Sequence, residues 1–359
     1  MVSRLHRYLS WLIGIWLVLL CVSGAVLLYK NPLLRWQYPQ LQHIQPVADI
    51  SSWGPLLNQL QQDPQFRYVK FPEADALWLE AVTFDNQRYY YDGQHQLLLI
   101  REVRSDWLDW LYDFHLNLLS GDKGHTVSGF IGLFSLLLLL TGLWQWWPRR
   151  FSRRLFKLPV LNSSMRSLRQ YHSVLALLLL PLVLLTAATG AMMVFGQQTQ
   201  TVLNRLLPQA QPAPQPVAVT DSVPVMATNW TAALQSARQH WPEQALRLVS
   251  FRREATAPIS FRAKAVAEWH PNGRGILQLH PADNRVLYAM PAADLATAER
   301  LRNTFYPLHI ASIGGVLYKL ALLLTGLFSL MLLLLGLIYS WRRLKARSAR
   351  HGAYQKPVY

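Results

Sequence analysis

The stretches at residues 5–24, LHRYLSWLIGIWLVLLCVSG, and 171–190, YHSVLALLLLPLVLLTAATG, decide the fold of this chain. Each carries a histidine near its start, His6 or His172, and ends on a glycine 18 residues after that histidine. Eighteen residues of helix rise about 27 Å, close to the roughly 30 Å of bilayer hydrocarbon. A second spacing repeats as well. His115 precedes Gly142 by 27 residues and Trp147 by 32, and His309 precedes Gly336 and Trp341 by the same 27 and 32. Working outward from these landmarks, four apolar runs are long enough to cross a membrane, at about 9–29, 127–147, 174–195 and 316–339. A backbone in lipid must satisfy its own hydrogen bonds, so all four are expected as helices.

Of the 359 residues, 52% are hydrophobic and 15% charged, with a net charge of +16. That charge does not describe a nucleic-acid binder, because it is concentrated beside the spans. Residues 1–10, 148–170 and 341–359 hold 2, 7 and 6 Lys/Arg and no Asp or Glu, leaving 20 basic and 19 acidic residues elsewhere. Such clusters mark cytoplasmic flanks, here Arg149, Arg150, Arg153, Arg154, Lys157, Arg342 and Arg343. The pattern predicts cytoplasmic termini and loop, with the segments between spans 1–2 and 3–4 on the other side. Trp144, Trp146, Trp147 and Trp341 suit interfacial belts.

Cys21 is the only cysteine, so an intramolecular disulfide and a cysteine-based zinc or iron–sulfur site are excluded. Ser23-Gly24-Ala25 resembles a signal-cleavage site. The matching run at 172–195 is internal, which favours reading both as permanent spans.

The expected architecture is an α-helical membrane protein with four transmembrane helices in two parallel repeats and two small external α+β domains. The expected boundaries are 1–30 for span 1, 31–105 for the first external domain, and 106–148 for an approach segment plus span 2. A basic loop at 149–170 leads to span 3 at 171–196 and the second external domain at 197–300. A second approach and span 4 occupy 301–341, and a basic tail 342–359. In the first external domain, 51–62 reads as a helix with a Ser start signal, and 66–71, 77–84, 88–91 and 95–103 as strands. In the second, a Pro-rich linker at 208–216 precedes a helix at 229–240 and strands at 247–253, 259–265, 275–280 and 285–290. Amphipathic stretches at 106–118 and 294–308 then deliver His115 and His309.

Histidines at matched depths in a duplicated membrane unit suit haem held between two imidazoles. Neutral imidazole is a common axial ligand, and two of them leave no open iron position, which favours electron transfer over oxygen activation. The symmetry pairs His6 with His172 at the cytoplasmic depth and His115 with His309 at the external depth; each pair suits one b-type haem, with these four as candidate iron ligands and the number of haems, one or two, left open. Read singly, each is also a polar residue at a helix end facing headgroups. His125 and Lys319 each follow the external histidine of their repeat by 10 residues. Either can reach a haem propionate or an anionic substrate, or snorkel to the interface, and His125 is an alternative ligand to His115. Gly24, Gly142, Gly190 and Gly336 allow close helix packing or leave room for a macrocycle. There is no Walker loop, GxGxxG after a strand, HExxH or GxSxG, and no catalytic residue is singled out. His43, His95, His240, His270 and His280 lack ligand spacing.

Leu5-His6-Arg7, the Trp-Trp-Pro-Arg-Arg ending at 146–150, Leu308-His309 and Trp341-Arg342-Arg343 together resemble the PepSY-associated transmembrane family. The resemblance covers nearly the whole chain and makes the external domains PepSY-like and periplasmic. It implies a bacterial inner-membrane haem protein similar to FoxB-type ferric-siderophore reductases. Such a protein takes electrons from a cytoplasmic or quinol donor and reduces Fe(III) to Fe(II) in a ferric siderophore or other ferric chelate. By motif, the family's histidines fall on His6, His115, His172 and His309. Asp122-Lys123, more polar than Ile313-Gly314-Gly315 of the other repeat, is a departure that sets the two haem environments apart. The PepSY label also extends to peptidase inhibition, so a non-enzymatic protein binding a peptide or partner is the alternative. A haem-bearing anchor serving a separate reductase is a further one.

Overall fold

A computed structural model describes residues 2–148, 150, 152, 156–160, 164–207, 219 and 221–354. Arg149, Arg153, Arg154 and the Pro-rich linker at 208–216 lie outside these residues. The helices are α1 (Val2–Leu27), α2 (Lys30–Gln37), α3 (Gly54–Gln62), α4 (Trp107–Asn117), α5 (Gly121–Trp146), α6 (Met165–Val194), α7 (Gly196–Leu206), α8 (Trp230–His240), α9 (Thr297–Arg302), α10 (Phe305–His309) and α11 (Gly315–Tyr354). The strands are β1 (Phe66–Lys70), β2 (Leu79–Thr83), β3 (Arg88–Tyr91), β4 (Leu97–Arg101), β5 (Ala245–Ser250), β6 (Ile259–Lys264), β7 (Gly275–Leu279) and β8 (Val286–Met290). The chain divides into two compact units.

One unit comprises residues 1–28, 112–195 and 308–359 and contains the four long apolar helices α1, α5, α6 and α11. Each is long and apolar enough to span a bilayer, and the chain is a membrane protein. The helices form a closed ring in which α1 packs on α5 and α11, and α6 packs on the same two. Close approach rests on small residues, as is common between membrane helices. Gly326 of α11 lies against Ala25 and the Cys21 carbonyl of α1, and Gly132 of α5 lies against Ala187 and Ala191 of α6.

The other unit comprises residues 29–111 and 196–307. Here the structure corrects the expected pair of separate domains. Its eight strands form one antiparallel sheet in the order β4-β3-β2-β1-β5-β6-β7-β8. Two four-stranded meanders join where Tyr68, Val69 and Lys70 pair with Ser250, Val249 and Leu248. The physical reason is edge satisfaction. A lone meander would expose β1 or β5 as an unpaired edge carrying buried Val69 or Val249, and zipping them together removes both edges. Trp53, Leu57, Trp230, Leu234, Val69, Val249 and Phe261 belong to one continuous core, so α3 and α8 cover a shared sheet rather than two private ones. The helix expected at 51–62 begins as a 3₁₀ turn, Ile50–Trp53, capped by the Asp49 side chain, before Gly54–Gln62 becomes α-helical.

Candidate functional site

The geometry at the histidines is built from the glycines of neighbouring helices. A Cβ on Gly24 would lie 2.9 Å from Cε1 of His115, and one on Gly142 3.0 Å from Cε1 of His6. Gly190 faces Cε1 of His309 and Gly336 faces Cε1 of His172, both at 3.2 Å. Each imidazole therefore rests on the bare backbone of another helix. The space left by the missing side chains is taken by the histidine rings rather than by open room for a macrocycle. The seats are reciprocal within each half. Helix α1 offers His6 to α5 at one end and Gly24 to His115 at the other, and α6 offers His172 to α11 and Gly190 to His309.

Each ring also finds an acceptor four residues before its glycine. His6 Nδ1 lies 3.2 Å from the Leu138 carbonyl, and His172 Nδ1 lies 3.2 Å from the Leu332 carbonyl. His115 and His309 bond to the backbone of Leu20 and Thr186. In three seats the residue before the glycine adds a hydroxyl. Nδ1 of His6 is 3.2 Å from Thr141, that of His115 is 2.9 Å from Ser23, and that of His309 is 3.0 Å from Thr189. The fourth seat has Leu335 at this place. A carbonyl partner assigns the proton to Nδ1 and leaves Nε2 as the lone-pair nitrogen, the arrangement that orients metal-binding histidines.

Two short helices bring His115 and His309 to their seats. Asp106 caps α4 by accepting the Asp109 N–H at 2.9 Å, and Arg101 grips its carboxylate through Nε (2.8 Å) and Nη2 (3.1 Å). After His115 the chain turns through Leu118 and Leu119, both left-handed at φ 48° and 59°. Leucine pays for that conformation, so surrounding contacts must hold it. Gly124 allows the Asn117 carbonyl to touch α5, and Ser128 Oγ donates to the Leu116 carbonyl at 3.0 Å. The other half uses Ala311 (φ 50°) and a 2.7 Å hydrogen bond from the Tyr318 hydroxyl to the Leu308 carbonyl.

The ring centroids of His115 and His309 are 6.1 Å apart, with planes inclined at 51°. With about 2 Å for a metal–imidazole nitrogen bond and about 1 Å more to the ring centre, two imidazoles on opposite sides of one ion have centres roughly 6 Å apart. The observed gap matches that value. His6 and His172 lie within electrostatic range of each other. No group of three or more His, Cys, Asp or Glu is arranged to hold a metal among the described residues. Four imidazoles in two pairs are the residues that could hold a metal carried in a macrocycle supplying its other ligands. His125 and Lys319, by contrast, lie half-buried in the first turns of α5 and α11, outside the four histidine–glycine seats. His115, not His125, occupies the seat on Gly24.

Compared with known proteins, the chain matches the family model for the PepSY-associated TM region over residues 3–343. It belongs to the PepSY-associated transmembrane family. All four histidines and all four seat glycines fall inside the matched span. No curated protein matches the chain.

Proposed function

We propose that this PepSY-associated membrane protein is a b-type haem protein of the bacterial inner membrane that carries electrons across the bilayer and reduces a ferric siderophore, Fe(III) to Fe(II), in the periplasm. The observation that supports this reading most is the His115–His309 pair, 6.1 Å between centres with each Nδ1 engaged behind the ring. Bound between such pairs, haem would supply one-electron chemistry.

The chain's own residues have defined tasks in this reading. His115 and His309 would hold one haem and His6 and His172 the other. The carbonyls of Leu138, Leu332, Leu20 and Thr186 hold the rings in the tautomer that presents Nε2 and raise their basicity. The seat glycines set the depth of each ring. The 18 residues from His6 to Gly24 span about 27 Å of helix, so the two pairs serve opposite faces of the membrane. Arg150, Lys157, Arg342 and Arg343 favour the cytoplasm for the His6 end and the periplasm for the His115 end and the sheet unit. A quinol or cytoplasmic donor would then supply electrons at the His6 end, and the ferric chelate would accept them at the other. His125 and Lys319 lie in the first turns of their spans, where a cation can meet a propionate or an anionic chelate. Iron leaves because Fe(II), with less charge, is held more weakly by oxygen chelators.

The test uses the full chain purified in detergent, reduced with dithionite, desalted without oxygen and mixed with a ferric siderophore. We expect sharp six-coordinate b-type bands that disappear on mixing, with Fe(II) appearing in a ferrozine trap in proportion. Reduced bands that persist would contradict the reductase reading and leave an electron carrier with another acceptor. A protein without haem would favour a PepSY module that binds a peptide or protein.

A further inference from the structure

The loop that joins β6 to β7, residues 265–274, is longer than its counterpart in the first half of the sheet, residues 84–87 between β2 and β3. It is closely tied. Glu268 lies within it and accepts the backbone N–H groups of Ala265, at 3.2 Å, and of Arg274. Gly273, at φ 65°, lets the chain press on the Ala263 carbonyl, and Arg247 Nε donates to the Pro271 carbonyl at 3.0 Å. These ties fix the side chains that the loop carries.

One of them is His270, 4% exposed. Its ring stacks on Tyr306, with centroids 5.2 Å apart and planes inclined at 27°. Nδ1 accepts the Asn272 N–H at 3.2 Å, and Nε2 lies 2.7 Å from Nη2 of Arg274. Burial and the adjacent Arg274 bring the ring down to about 3, so it is neutral. A neutral imidazole has one lone-pair nitrogen and one N–H. Both nitrogens here meet donors, so the ring N–H lacks an acceptor. Arg274 Nε is also buried without a partner. Two unmet donors on neighbouring side chains call for an acceptor that the chain does not supply.

Positive charge gathers at the same place. Arg262, Lys264 and Arg302 act electrostatically on His270 or Arg274. Arg262 and Lys264 alternate with Phe261 and Ala263, which are fully buried in the core, so both stand on the other face of the sheet. Glu268 and Glu299 oppose this charge, but none of the four cations forms an ion pair with a carboxylate among the described residues. A bound anion would relieve both the mutual repulsion and the unmet donors. Trp269 and Tyr306 add exposed flat surface, and Tyr306 precedes His309 by three residues, one turn of α10.

We infer that the cluster around His270 and Arg274 is the docking site of an anionic ferric chelate, whose free carboxylates accept hydrogen bonds from these two residues in the field of Arg262, Lys264 and Arg302. The planar guanidinium of Arg274 suits a carboxylate. The identity of the anion rests on the reductase reading, and the site rests on the sheet unit alone. Such a site selects negatively charged chelates and turns away those with a positive pendant group.

Calorimetric titration of the full chain in detergent with gallium(III) dicitrate tests it. Ga(III) matches Fe(III) in charge and is not reduced, so binding is read apart from electron transfer. We expect saturable binding that weakens with added salt, and binding weaker by about tenfold or more for a gallium trihydroxamate with a pendant ammonium group. Arg274→Gln should weaken the dicitrate about tenfold, the effect of one charge-assisted hydrogen bond. Arg262→Glu, at an exposed position, should weaken it as much without lowering the melting temperature, and Arg285→Gln, beyond the far end of β7, should change nothing. No saturable dicitrate binding at millimolar concentration, equal affinity for the two chelates, or unchanged affinity in both Arg274→Gln and Arg262→Glu would overturn the inference. So would dicitrate binding that anionic lipid abolishes in nanodiscs, which would assign the cluster to headgroups. A chain that binds the dicitrate but holds no haem would support the site and contradict the reductase reading alone.

Discussion

A histidine ring needs three things to serve as a fixed ligand: a place to lie, a partner for its second nitrogen and a clear path for its first. Here one short piece of helix supplies the first two, a glycine for the place and the carbonyl four residues earlier for the partner. The histidines and glycines were legible in the sequence as repeated offsets. Which glycine served which histidine was not, because offsets along one strand of sequence do not show which helices touch. A local signal was nevertheless present in Ser23-Gly24, Thr141-Gly142 and Thr189-Gly190, where a hydroxyl precedes the seat. The pairing predicts how a variant behaves. If haem is bound as proposed, Ser23→Ala should retain it, because the Leu20 backbone still partners His115. Losing one acceptor at Nδ1 makes the ring a weaker donor to ferric iron, so the midpoint potential of one haem rises while the other stays put. Redox titration of the purified variant followed optically checks this, and two unchanged potentials would contradict it.

At the scale of elements, strand alternation placed all eight strands within three residues, and the apolar runs located all four spans although each helix continues past its run at one end by six residues or more, since burial on one face leaves a readable pattern while polar helix ends do not. The joining of β1 to β5 was not readable, because Phe66–Lys70 and Ala245–Ser250 look the same as edge strands and as central ones. The four spans carry a further asymmetry that the sequence conceals. Gly132 and Gly326 occupy equivalent places, yet a Cβ at Gly326 overlaps Ala25 and sits 2.7 Å from the Cys21 carbonyl oxygen, while one at Gly132 is 3.1 Å from Ala191 Cβ. Alanine in place of a helical glycine gains up to about 1 kcal/mol of propensity. Overpacking against backbone costs about 1–3 kcal/mol. Gly132→Ala should therefore be close to neutral, and Gly326→Ala should lower the thermal midpoint in detergent. Equal midpoints for the two variants would remove the claimed contact between α1 and α11.

At the scale of the molecule, a membrane bundle and a single eight-stranded unit are interleaved in the chain, each built from both halves of the sequence. The sheet unit is stiffened by a partly buried charge network in which Glu80 lies 3.5 Å from Lys70 and 3.4 Å from Arg88. Burial by itself would raise the Glu80 carboxyl, but Lys70, Lys30 and Arg88 outweigh it and bring the group down to about 2. A carboxylate depressed on folding contributes stability above its unfolded value near 4.5, and that contribution disappears as pH falls from about 4.5 to about 2. Unfolding followed by tryptophan fluorescence should show wild-type stability falling across this window. Glu80→Gln should be less stable at neutral pH and flatter below pH 4.5, and parallel pH curves for the two proteins would show that Glu80 does not carry the effect.

The central claim concerns paired imidazoles at both ends of the bundle, and counting haem tests it most directly. Pyridine haemochrome analysis of purified wild type, His115→Ala, His172→Ala and His240→Ala gives haem per chain independently of any acceptor. The account predicts about two haems in wild type and His240→Ala, and about one in each of His115→Ala and His172→Ala, with different residual spectra because different pairs survive. Wild-type protein without haem, or full haem in both His115→Ala and His172→Ala, would contradict it.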